Sequence, residues 1–222
     1  MSYDVFENLD EAKRLAIINA GLKIFSEYGY TKSSVDAITK EAGISKGSLF
    51  YYFESKKNFY LYLYEYCGNT LEKIVDSPGP DGCPSYMIYT DFFERIEAIQ
   101  QLKMKCSIDY PHMSDFMKKS VFETAPCVKS EIEKFNTRYT HERAMAFFQG
   151  IDYSKFKEGI NPMMVIQLIT WCSEACANQA ALKYKQKSSD NQLSLIFQEA
   201  VDLYKAYMTL FRNTFYKEEY LK

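Results

Sequence analysis

Apolar residues recur at three- and four-residue intervals along most of the chain. Glycine and proline are few and gather at the apparent ends of these runs. Ile17, Gly21, Ile24 and Tyr28 share one helical face, widened by Ala20 and Phe25. They predict a helix from about Asp10 to Tyr28 that stops at Gly29. A glycine inside a helix costs stability relative to alanine, so Gly21 marks a close helix–helix approach. In TKSSVDAITKEAG, Ser33 or Ser34 can cap a short helix. Asp36 stands in its first turn, Ala37, Ile38 and Ala42 form its apolar side, and Gly43 ends it. Ser45 then caps a helix over Lys46–Phe53, and Ser55 caps a third whose stripe includes Phe59, Leu63 and Tyr66.

The segment DSPGPDGCPSY, residues 76–86, reads as a loop. A helix is expected from about Tyr86 to Lys103, with a break near Pro111. Another starts near Pro126 and runs up to Gly150, and a further one opens at Asn161-Pro162 and runs to about Tyr184. KQKSSDNQ, residues 185–192, reads as a turn. A final helix, about 191–216, carries Leu193, Ile196, Ala200, Leu203, Tyr207 and Phe211. The expected fold class is all-α: an N-terminal three-helix helix-turn-helix domain over 1–66 and a larger helical domain over 67–222.

Composition adds few constraints. With 222 residues, 47% of them hydrophobic and 25% charged, the chain can bury a sizeable core. The acidic start MSYDVFENLDEAK does not resemble a signal peptide, and polar residues interrupt every apolar run before membrane-spanning length. A cytoplasmic protein without membrane contact is expected. Its six scattered cysteines form no CxxC pair, and with two histidines they give no metal-binding spacing. Charge is more informative by position than in total. Between Lys13 and Lys57, eight Lys/Arg face four Asp/Glu, a net +4, which leaves −6 on the remainder. A basic N-terminal region on an acidic body suits a polyanion-binding module attached to something else.

Two short helices joined by Ala-Gly-Ile-Ser, after a longer helix, form a helix-turn-helix pattern. At about 100° per residue from Lys46, Leu49 and Phe53 fall one turn apart and face the core, with Tyr52 on their flank. Tyr51 points almost directly away from them, with Gly47 and Ser48 on either side and Lys46 and Phe50 at the border. A glycine in that strip permits close approach to DNA. Ser48 can donate to a base edge or phosphate, Tyr51 can bond a phosphate, and Phe50 can touch a thymine methyl. Lys56, just past the next cap, is placed for a phosphate.

The stretch GYTKSSVDAITKEAGISKGSLFYYFESKKNFY resembles the DNA-binding motif of the tetracycline-repressor (TetR) family of bacterial transcription regulators. Phe25, Gly29, Ser34, Ile38, Ala42-Gly43-Ile44-Ser45, Gly47, Leu49, Tyr52-Phe53 and Lys56 carry the likeness, which covers roughly the first 65 residues. It implies a homodimer with an N-terminal DNA domain and a C-terminal domain for ligand binding and dimerisation. By position, it implies a phosphate contact at Ser34 and base reading by Lys46, Gly47 and Ser48. Phe50, Tyr51 and Tyr52 match positions that touch backbone or thymine methyls, and Lys56 matches a phosphate-binding lysine. Where Phe50 stands the family commonly has tyrosine, so a phosphate contact through that hydroxyl is lost.

The implied partners are a double-stranded DNA operator, a second copy of the chain and a small effector. In the family the matching pair of C-terminal helices forms a four-helix bundle with its twofold mate. There Ala175, Ala177, Ala180 and Ala181 would permit close packing between copies and Leu203, Tyr207 and Phe211 would fill the interface, the alternative being burial of the same residues within the chain. The middle of the chain is rich in aromatic residues and methionine. Phe92, Tyr110, Met113, Phe116, Phe122, Met164 and Trp171 are candidates to line a pocket for an apolar or aromatic ligand. No nucleophile motif, metal spacing or phosphate loop points to an enzyme, and no cofactor is expected.

Overall fold

The computed structural model describes residues 3–186 and 193–221; most of the turn expected over 185–192 lies outside the described residues. The fold is all-α. In chain order the helices are α1 (Asp4–Glu7), α2 (Glu11–Lys32), α3 (Val35–Ala42), α4 (Lys46–Phe53), α5 (Lys56–Val75), α6 (Phe92–Asp109), α7 (Pro111–Val121), α8 (Pro126–Phe148), α9 (Pro162–Gln186) and α10 (Leu193–Phe215). Among the described residues, β-pairing is confined to two isolated bridges, Pro78 with Pro84 and Phe156 with Tyr216.

The chain divides into two compact units. The first holds residues 1–77 and 102–146, the second 78–101 and 147–222. In the first, Phe25, Phe53, Phe59 and Leu63 form a buried core between α2, α4 and α5. Gly21 is where α2 and α5 meet: a Cβ there would lie 2.6 Å from Phe59 ring atoms and 2.7 Å from Leu63. The helix predicted to stop at Gly29 does break there, at φ 69°, and one further turn carries the chain to Lys32. Helix α7 belongs to this unit. Its Phe116 ring packs 5.0 Å from Tyr60 and 6.3 Å from Phe25, so α7 closes the face of α2.

Two features of the fold, one in each unit, differ from expectation or were not foreseen. Helix α1 was not foreseen, because one turn is too short to show a period. Its Phe6 is nevertheless fully buried, 4.6 Å from Phe53 and 5.2 Å from Tyr62. The helix expected from about Tyr86 starts only at Phe92, after a 3-10 turn over Ser85–Ile88. Asp91 sets that start by accepting the backbone N–H groups of Phe93 and Glu94, both at 3.0 Å.

The second unit has its own core of Phe92, Phe93, Phe156, Val165, Ile169 and Tyr216. Arg95 is wholly buried there and donates to four carbonyls: Tyr89 at 2.8 Å, Phe147 and Gln149 at 2.7 Å, and Met87 at 3.2 Å. A guanidinium among the last carbonyls of α8 completes that helix end. Burial opposes ionisation of Asp91. Hydrogen bonds from Lys155 and from the Glu94 backbone, with Arg212 nearby, still hold its carboxyl below the usual range.

Candidate nucleic-acid interface

Each helix of the α3–α4–α5 run is started by a serine. Ser34 Oγ accepts from Ala37 N at 3.0 Å, Ser45 Oγ from Ser48 N at 3.0 Å, and Ser55 Oγ from Asn58 N at 3.1 Å. Of the two serines that could cap α3, Ser34 does so. Ser33 is buried and donates to Gly29 O and Ile24 O, fastening the chain across the α2 break. Gly43 ends α3 in the left-handed region, φ 66°, which suits glycine. Helix α4 ends at Glu54, whose φ of 62° is unusual for a residue with a side chain. The turn on each side of α4 is thus sharply defined by its backbone.

The faces of α4 follow the angular reading. Leu49 and Phe53 are buried, and Tyr52 is half-buried 5.7 Å from Phe6. Tyr51 is 71% exposed, Lys46 and Gly47 are exposed, and Ser48 is half-buried. Phe50 is exposed at 37%, on the border between the faces. Ser34 is exposed, with its hydroxyl engaged in the cap. The Ser48 hydroxyl is 2.8 Å from that of Ser45, and Lys46 reaches Asp36 of α3 at 3.1 Å. That ion pair is exposed on both sides and contributes little stability, so Lys46 can leave it for another anion.

Lys56 stands apart from the other candidates. Its ammonium donates to Tyr30 O at 2.8 Å and Ser33 O at 3.0 Å and lies 4.6 Å from the centroid of the Tyr30 ring. Two of its three N–H groups are therefore committed inside the domain, where they tie the first turn of α5 to the α2–α3 joint. Burial pushes the Tyr30 phenol up to about 12, and the neighbouring Cys127 and Glu123 add to the shift.

The seven ligand candidates are not brought together. Met113, Phe116 and Phe122 are buried in the first unit, where Met113 and Phe116 join the core that holds α7 to α2. Tyr110 is exposed just before α7. Phe92 fills the core of the second unit. Met164 and Trp171 point outward from α9, 63% and 55% exposed. None of the seven lines the cavity of about 320 Å³ between α6 and α10, whose walls are Phe93, Ile96, Glu97, Gln100, Lys205, Met208, Thr209 and Arg212. Composition identified which residues are apolar, but not which of them would be used up as core. Among the described residues, no group of three or more His, Cys, Asp or Glu could hold a metal ion, and no helix is long and apolar enough to cross a membrane.

Residues 17–63 match the family described as bacterial regulatory proteins, tetR family. The HTH-type transcriptional regulator RutR of Escherichia coli K12 is 30% identical over 124 residues, 54% of this chain and 53% of RutR. The chain thus spans about half the length of that relative. IcaR of Staphylococcus aureus Newman, the HTH-type negative transcriptional regulator of the biofilm operon icaADBC, is 24% identical over 184 residues, 81% of this chain and 95% of IcaR. Among solved structures, SmeT, the repressor of the Stenotrophomonas maltophilia multidrug efflux pump SmeDEF, shares the fold with a TM-score of 0.58 at 12% identity, over 92% of this chain and 90% of SmeT. Residues 17–63 thus carry the N-terminal domain that the tetR family of bacterial regulatory proteins shares, and the chain is similar to that family through this domain.

Proposed function

We propose that the protein is a dimeric, ligand-responsive transcription regulator, a repressor that a small, largely apolar or aromatic effector releases from a palindromic operator. The observation that carries this reading is the division of α4. Leu49 and Phe53 anchor the helix while Lys46, Gly47 and Tyr51 remain outside with Ser48 half-buried beside them, on a helix fixed at both ends. A helix so presented fits the major groove, with Gly47 admitting the backbone close to the DNA. Ser34, Phe50, Tyr52 and the third N–H of Lys56 border that surface and complete the proposed contact set. The DNA-binding head is assigned to residues 1–66 and the effector and dimerisation region to 67–222.

The effector is proposed to act by moving α5, and with it the spacing between the recognition helices of the two copies. A coupling of about 1–3 kcal/mol changes operator affinity roughly 5–150-fold. The α6–α10 cavity would offer the effector's apolar body Phe93, Ile96 and Met208, and its polar groups Glu97, Gln100, Lys205, Thr209 and Arg212. DNase footprinting at low salt on the region upstream of the protein's own gene, with duplex selection from a random pool, tests the reading. Protection of a two-fold symmetric site is expected. Tyr51→Ala then weakens binding across sequences, whereas Ser48→Ala changes sequence preference. No protection and no enriched duplex at low salt would rule the reading out.

A further inference from the structure

Residue 123 precedes α8 by three positions, where a short Asp or Asn would ordinarily hydrogen-bond the backbone ahead of it. The chain has the longer glutamate there, and both its oxygens are occupied. Oε1 accepts the N–H groups of Thr124 and Ala125, each at 2.9 Å, and so shapes the α7–α8 joint. Oε2 accepts the N–H of Tyr30 at 3.0 Å, ninety-three residues away in sequence. Tyr30 follows the break at Gly29, and its own carbonyl is held by Lys56 of α5. The two polar groups of one peptide-forming residue are thus gripped from opposite directions, the N–H by the α7–α8 joint and the C=O by α5. Lys56 also holds Ser33 O, next to the cap of α3. Nearby, the Tyr60 hydroxyl of α5 is 2.8 Å from that of Ser120, at the end of α7.

We infer that Glu123 is a positioning residue for operator binding: it fastens the α7–α8 joint to Tyr30 and thereby fixes the seat of the α3–α4 pair. The inference rests on the regulator reading above. A displacement of the α7–α8 joint is carried through one carboxylate to the α2–α3 joint, and from there through the Ser34 cap to α3 and α4. Helix α5 is a second route to the same point, because Lys56 holds the other side of Tyr30.

Aspartate at this position separates the two bonds. It is one methylene shorter, so it keeps the local bond to the Ala125 N–H but no longer reaches Tyr30. The experiment compares wild type, Glu123→Asp and Glu123→Ala in the full-length protein. It reads thermal unfolding, hydrogen exchange at the Tyr30 amide, and affinity for a duplex that the wild-type protein selects from a random pool. Glu123→Asp is expected to unfold only a few degrees below wild type, to exchange the Tyr30 amide about tenfold faster, and to bind the duplex about tenfold more weakly, the scale of one charge-assisted hydrogen bond. Its salt dependence stays that of wild type, because no phosphate contact is removed. Glu123→Ala loses both bonds and unfolds at a lower temperature. Wild-type affinity in Glu123→Asp, or wild-type exchange at Tyr30, overturns the inference. If the wild-type protein enriches no duplex, the regulator reading itself has failed and the inference falls with it, an outcome visible before any variant is made.

Discussion

At position 21 an added Cβ would lie 2.6 Å from two atoms of the Phe59 ring and 2.7 Å from Leu63, both fully buried. Neither neighbour can swing into solvent, so relief requires α2 and α5 to separate. Overpacking of this kind costs about 1–3 kcal/mol, whereas alanine in place of glycine in a helix regains up to about 1 kcal/mol. Gly21→Ala is therefore expected to lower stability by about 1–2 kcal/mol, read as a lower midpoint in urea at an unchanged slope. Gly47 offers the opposite case within the same domain. Its added Cβ meets only the Ser45 hydroxyl, at an ordinary 3.7 Å. Gly47→Ala should thus hold or raise stability by up to about 1 kcal/mol while weakening binding to the selected duplex. If Gly47→Ala binds DNA as well as wild type, close approach at that residue is not part of recognition.

At the level of elements, the resemblance implies a phosphate contact for Lys56, yet the structure uses its ammonium as an internal clamp on Tyr30 O and Ser33 O. The two roles give different salt behaviour. Losing a phosphate contact lowers the slope of log affinity against log salt by about 0.9, and losing a clamp leaves the slope alone. Lys56→Met keeps the aliphatic stem and removes the charge. It is expected to cost about 1.5–3 kcal/mol of stability and to weaken DNA binding at an unchanged slope. A slope reduced by about one, with stability intact, would assign Lys56 to the DNA instead. The same contrast marks what could be read in advance. The starts of α3, α4, α5 and α9 were legible because capping is local: a serine or asparagine satisfies N–H groups two or three residues ahead. The outward turn of Tyr51 was legible because helical phase is local too. Lys56 with Tyr30, Glu123 with Tyr30, and Phe6 with Phe53 were not, since each joins residues far apart in sequence or lies on an element shorter than one period. Where the ligand candidates would lie was hidden for a related reason. Phe116 and Trp171 look alike in composition, and only the packing of α7 on α2 makes one of them core and leaves the other on the surface.

For the whole molecule the deciding feature is a surface of the second unit. Met164, Leu168, Trp171, Ala175 and Leu182 follow one another along α9 at intervals of three, four or seven residues, and all are exposed. On α10, Leu203, Tyr207 and Leu210 repeat the pattern. The opposite faces, with Val165, Ile169, Cys176 and Ala180 on α9 and Ile196 on α10, are buried within the chain. Ala180, expected between copies, therefore serves intrachain packing. A continuous apolar strip with heptad-like spacing suits cover by a second helix pair, as the proposed dimer requires, and an isologous contact would place the same residues on both copies. A lasting dimer of ordinary size buries on the order of 1,200–2,000 Å² in total, and central tryptophans carry a large share of such interfaces. Trp171→Glu removes the largest exposed side chain of the strip and introduces a charge that would face its own copy. It is expected to weaken association about thirtyfold or more, the effect of an interface residue worth about 2 kcal/mol, while helix content by circular dichroism stays the same because residue 171 is already exposed. Sedimentation equilibrium over a concentration series measures the first effect. The second consequence is for DNA: in the proposed dimer two recognition helices reach half-sites about 34–36 Å apart, and a monomer engages only one. Trp171→Glu should then protect the symmetric site only at concentrations where the variant still dimerises, although its own α4 surface is untouched. A variant that stays dimeric at micromolar concentration, or a monomeric one that binds the full site as tightly as wild type, would show that this strip is not what joins the copies.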